Sequence, residues 1–136
     1  MANYTKFQQF VEDLAHGVHN FDSDTIKVAL SSAGNAPSAS DDAVLTDITT
    51  IAAPAVNSVT LTKSSSGQTS GTYKLVLADL TMTASGTVGP FRYVILYNDT
   101  AANDPLICYF DYGSEVTLAS GDTFKLDFGT ELFSLA

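Results

Sequence analysis

From Phe7 onward the apolar residues fall at Phe7, Phe10, Val11, Leu14 and Val18, the spacing of one helical face. The series predicts a single helix over about residues 5–19. Thr5 stands as its N-cap with Gln8 three residues on, the spacing of a capping box, and Gly17 weakens its far end.

After Asp24 the period changes to two. In "TIKVALS" Ile26, Val28 and Leu30 share a face while Lys27 points away. A loop follows in "SSAGNAPSASDDA", and then two short candidate strands, "VLTDITTIA" and "VNSVTLTK", divided by Pro54. "SSSGQTSG" reads as a turn. In "TYKLVLADLTMTAS" Tyr73, Leu75 and Leu77 lie on one side before the pattern shifts to Leu80 and Met82, as at a bulge or a crossing between sheets.

"FRYVILYN" sets Phe91, Tyr93, Ile95 and Tyr97 against Val94 and Leu96, apolar on both faces as a central strand would be. "PLICYFDY" has the same character, and "NDTAAND" between them suits a longer hairpin loop. Val116 and Leu118, then Phe124, Leu126 and Phe128 after the "SGD" turn, alternate cleanly. The closing "ELFSLA" is positioned to close a sheet or to reach a neighbouring subunit. Eight or nine short strands predict a mainly β fold, an antiparallel two-sheet β-sandwich of jelly-roll or immunoglobulin-like topology with one N-terminal α-helix covering an open end or edge.

At 136 residues the chain has the length of one domain spanning residues 1–136. Six basic residues against fifteen acidic ones give a formal charge of -9, which repels a phosphate backbone and argues against nucleic acid as a partner. No apolar run approaches the ~20 residues of a membrane span, so a soluble protein without a membrane partner is expected. The lone Cys108 sits in an apolar run with no basic neighbour in sequence and reads as a small core residue.

Candidate chemistry is sparse. His16 and His19 stand three apart, a spacing that would seat two metal ligands on a helix, but nothing completes a site and both read as solvated. Asn98, Asp99, Asn103 and Asp104 offer oxygen ligands for a hard cation, yet the same residues are ordinary turn formers. The carboxylate pairs Asp111 with Glu115 and Asp122 with Asp127 resemble solvated strand ends more than a glycosidase pair. No nucleophile elbow, phosphate loop or zinc-protease motif is present, so the reading is a non-enzymatic protein without catalytic residues, cofactor or metal.

Binding through the surface is what remains. Arg92, Tyr93, Tyr97 and Tyr112 are interface-type residues, and Phe7 and Phe10 on the helix and Leu132 and Phe133 in "ELFSLA" are further contact candidates. For the tyrosines, packing in the core with hydroxyls at its edge ranks ahead of the interface role.

The succession "KFQQFVEDLAHGVHNFDSDTIKVALS", "AVLTDITTIAA", "SGTYKLVLADLTMTASGTVGPFRYVILYNDT" and "DPLICYFDYGSEVTLASGDTFKLDF" resembles a group of small virion proteins of tailed bacteriophages over nearly the whole chain. That resemblance implies a structural protein, a decoration or cement protein on the outer face of the major capsid protein lattice, stabilising the head. It also implies a homotrimer, made in the host cytoplasm and located on the virion surface. The alternative is a tail, fibre or spike component involved in host attachment. The region after "TTIAA" lacks the glycine-rich insertion expected of the group.

Overall fold

A computed structural model describes residues 3–136. It contains nine strands and one α-helix: β1 (Asn3–Lys6), α1 (Gln8–Ala15), β2 (Ile26–Ser31), β3 (Lys63–Thr69), β4 (Thr72–Leu77), β5 (Leu80–Thr83), β6 (Val88–Asn98), β7 (Leu106–Leu118), β8 (Thr123–Leu126) and β9 (Phe133–Leu135). All strand pairings are antiparallel. The order β1-β7-β6-β2 makes a four-stranded sheet, and β3-β4-β9 and β5-β8 make two smaller ones. A common apolar core joins the three sheets, with Leu30, Ile95, Leu96 and Ile107 from the first, Leu75 and Leu77 from the second, and Met82 and Leu126 from the third. The result is an open sandwich whose second layer is split.

The split falls where the apolar pattern shifts. β4 ends at Leu77 and the chain enters a different sheet at Leu80, so Ala78 and Asp79 form the crossing. Asp79 secures it: its Oδ1 accepts the Phe128 N–H at 3.1 Å, and Lys125 Nζ lies 3.6 Å from its Oδ2. β6 and β7 occupy the centre of the large sheet, as two strands apolar on both faces require.

The helix is shorter than its apolar spacing predicts. Residues 3–6 are taken by the sheet, where Tyr4 pairs with Phe110 and Thr5 with Tyr109, so Thr5 cannot cap a helix. Phe7 occupies the N-cap position without a side-chain bond. At the other end Gly17, at φ 73°, closes a Schellman motif. The Val18 N–H bonds Asp13 O at 2.9 Å and the Gly17 N–H bonds Leu14 O at 3.3 Å. Only Phe10 of the helix is fully buried, Leu14 packs at the core's margin, and Val11 and Val18 are exposed.

Two further expectations are corrected. "VLTDITTIA" forms no strand, because Asp47 takes the Ala43 and Val44 N–H groups and holds Leu45–Asp47 in a 3₁₀ turn. "VNSVTLTK" reaches only two isolated bridges before β3 begins at Lys63: Val56 with Ala84, and Lys27 with Thr60, the latter flanked by bonds from Val28 N–H to Val59 O and Leu61 N–H to Ile26 O. Conversely "SSSGQT" is strand, not turn. Its turn is confined to Ser70 and Gly71, at φ 52° and 84°, the two positive angles that a tight hairpin needs. β3 is exposed along almost its whole length, and β4 supplies its backbone partners.

Candidate functional site

Between the large sheet and β8 the sandwich opens into a groove of about 530 Å³. Its floor is built by register: Tyr4 on β1, Phe110 on β7 and Val94 on β6 lie opposite one another on one sheet face, with Tyr112 two residues beyond Phe110. Phe124, Leu126 and Phe128 from β8 and the turn after it, with Leu132, form the facing wall. The aromatic rings interlock: Tyr4 with Phe110 at 5.5 Å, Tyr112 with Phe124 at 5.3 Å and Phe110 with Phe128 at 6.0 Å between centroids. Tyr4 and Tyr112 are 40% and 49% exposed, and they stand among only five large apolar residues so exposed in the described chain. Asp127 and Glu131 bring carboxylates to the groove, and Lys125 its one cation.

Of the sequence-derived contact candidates, only Tyr112 stands exposed at this groove, and Leu132 contributes to it as a buried wall residue. Phe7, Phe10 and Tyr93 are buried in the chain's own core, as is most of Leu132, so their area is spent within the subunit. Phe133 packs edge-on against Phe10 and Phe21 at 5.4 and 5.3 Å, because β9 pairs with β4 and does not project. Tyr97 is partly buried against the core. Arg92 is not isolated: its guanidinium makes a two-pronged ion pair with Asp111, at 2.8 and 3.1 Å, and lies 5.5 Å from the Tyr93 ring centre. That pair holds the Asp111 carboxyl below the usual carboxylate range, with the Gly113 N–H adding a bond at 2.8 Å.

The histidines are not neighbours on a helix. His16 is the exposed C-cap residue, whereas His19 lies past the helix end, 7% exposed, with its ring stacked on Phe21 at 5.2 Å and 6°. Its solvated assignment is therefore overturned. Asn98, fully buried, donates through Nδ2 to His19 Nδ1 at 3.0 Å and to Asp24 Oδ2 at 2.7 Å. Its Oδ1 accepts the Thr100 and Ala101 N–H groups at 2.9 and 3.0 Å. An accepting Nδ1 puts the neutral ring's proton on Nε2, a buried atom with no partner. Burial lowers the His19 pKa, against the opposing pull of Asp13 and Asp24.

The Asn98 amide is thus consumed in shaping the loop that sequence offers to a cation, and Asp99 pairs with Lys27 at 3.0 Å. Asp122 and Asp127 accept the Ala119 and Gly129 N–H groups, each at 2.9 Å, the work of turn carboxylates. Cys108 is fully buried, and burial pushes its thiol pKa up. Among the described residues no three His, Cys, Asp or Glu side chains gather as a metal site would require.

Sequence reasoning did not find Tyr4, Phe110, Phe124 and Phe128 as a site. The alternation of Phe124, Leu126 and Phe128 carried part of the signal, but Tyr4 sat in a predicted helix margin, and only the β1–β7 register places it beside Phe110. Compared with family models, curated proteins and solved structures, the chain matches none.

Proposed function

We propose that the chain is a non-enzymatic virion protein of a tailed bacteriophage, a decoration or cement protein that binds the outer face of the major capsid protein lattice. The observation that supports this reading is the open aromatic groove, in which tyrosine and phenylalanine rings with two carboxylates form a protein-contact surface. The resemblance of the sequence to small virion proteins supplies the setting. A chain of charge -9 remains soluble in many copies and suits the outer face of a shell, away from DNA. Modest contacts repeated on a lattice, and linked within a homotrimer, then add up through effective concentration.

Subnanometre cryo-electron microscopy of intact particles tests the location. Density for this fold at regular positions over the head is the expected result. Density confined to the tail would replace decoration with the tail, fibre or spike role, and absence from particles would remove both.

A further inference from the structure

The groove has the shape of an unfilled strand position. β8 pairs with β5 along one edge. Among the described residues, Phe124, Lys125 and Leu126 make no other backbone hydrogen bond. Yet consecutive residues from Phe124 to Phe128 line the groove. A strand presenting only a face would contribute alternate residues, since side chains alternate across it. Consecutive lining means that the edge of β8 borders the groove, with the N–H and C=O of Lys125 turned away from β5 and unpaired, while the opposite wall is the apolar sheet face of Tyr4, Phe110 and Tyr112.

An edge beside an apolar face is what strand addition uses. Main-chain bonds supply affinity, and alternate side chains entering the apolar wells supply specificity. Exposed edges are ordinarily blunted by charge or proline. β8 carries one charge, Lys125, whose ammonium already faces Asp79 at 3.6 Å, and it carries no proline.

Charge selects among occupants. The groove's carboxylates are Asp127 and Glu131, in a chain with nine more acids than bases. A second copy would bring the same sign of charge to this edge. We propose that β8 accepts, as an added strand, an extended segment of another protein with apolar side chains at alternate positions and at least one flanking lysine or arginine. This inference rests on reading the groove as a protein-binding surface, and it holds wherever in a particle the chain sits.

The probe is a synthetic peptide of alternating valine and threonine with a lysine at each end. Its controls carry glutamate at the ends or proline at the centre. Amide exchange of the whole protein, followed by NMR, reads the edge directly. The lysine peptide is expected to slow exchange at the outward-facing Lys125 amide at least tenfold and to bind at least fivefold more tightly than the glutamate peptide, with the proline peptide inert. Tyr112→Ala and Glu131→Gln, both at solvent-accessible side chains, should weaken binding while leaving the free protein's spectrum intact away from the groove and from Lys74 and Thr130, which Glu131 also contacts.

Unchanged exchange at β8, or equal binding of lysine and glutamate peptides, overturns the proposal. So does a dimer, seen by sedimentation, that fills the groove and excludes the peptide. A Tyr112→Ala protein that loses the peptide yet decorates shells normally supports strand addition and shows that decoration uses another surface. Normal peptide binding by a protein absent from the head supports strand addition and removes the location alone.

Discussion

Asn98 is fully buried and both amide hydrogens and both lone pairs of its side chain are used, on His19, Asp24, Thr100 and Ala101. Asn98→Ala would strand a buried ring nitrogen and two backbone N–H groups at once, and should cost about 3 kcal/mol, read as a lower urea midpoint at unchanged slope. A loss under about 0.5 kcal/mol would mean that water replaces the amide. His19 adds a pH dependence. Its pKa is lowered in the fold, so the unfolded chain binds more protons as pH falls below its ordinary value of about 6.5. The fold therefore loses stability from about pH 6.5 downward, until the lowered folded pKa is passed. His19→Gln should flatten the stability profile between about pH 7 and 5, and an unchanged slope would assign the dependence to other groups. Cys108 gives a third test at this scale: buried and with its thiol pKa raised, it should react with a thiol reagent only after unfolding. Fast labelling of native protein would contradict that burial.

Glycines at element boundaries separate two physical reasons for having no side chain. At Gly17 the backbone is at φ 73° and a Cβ would meet nothing within 4 Å, so Gly17→Ala costs only the left-handed strain, about 1 kcal/mol. At Gly89 the angle is 113° and a Cβ would lie 2.5 Å from Val116 O, inside the irregular register between β6 and β7. Gly89→Ala must move the central hairpin or abandon that pairing, and should cost at least about 3 kcal/mol. Thermal unfolding of the two variants would reverse this order only if the hairpin end were free to shift. The same boundaries show what was legible in sequence. The β6–β7 hairpin, the sheet crossing after Leu77 and the alternation of β8 follow from period-two patterning, because a buried face writes itself into side-chain choice. The helix start, β3 and the segment around Asp47 do not. Thr5 is claimed by a pairing with Tyr109, far away in sequence, β3 buries no face, and Asp47 satisfies backbone groups that the pattern assigns to a ladder. The groove was hidden for the first of these reasons, since its floor exists only once β1 is laid beside β7.

For the molecule as a whole, two electrostatic effects of opposite sign compete, and salt distinguishes them. Five ion pairs are present among the described residues, from Lys27, Lys63, Lys74, Arg92 and Lys125. Each is partly solvated, and such pairs contribute about 0–1 kcal/mol apiece. Against them stands the excess of acids over bases: fifteen Asp and Glu face six Lys and Arg, for a charge of -9 on a chain of 136 residues. Their repulsion acts over distances comparable to the domain at low ionic strength, where the screening length is about 30 Å at 0.01 M, and fades when it falls to about 8 Å at 0.15 M. The ion pairs, with charges 2.8 to 4.0 Å apart, lie well inside either length and are screened less than the distant repulsions. Raising sodium chloride from about 0.01 to 0.15 M at pH 7 should therefore raise the melting temperature by a few degrees, the change that about 1 kcal/mol produces in a domain of this size. Arg92→Gln, which removes the two-pronged partner of Asp111, should start lower and gain at least as much, because it adds one more uncompensated acid. A melting temperature that falls with salt in the parent protein would show the opposite balance, with short-range pairs outweighing net charge as the electrostatic determinant of this fold.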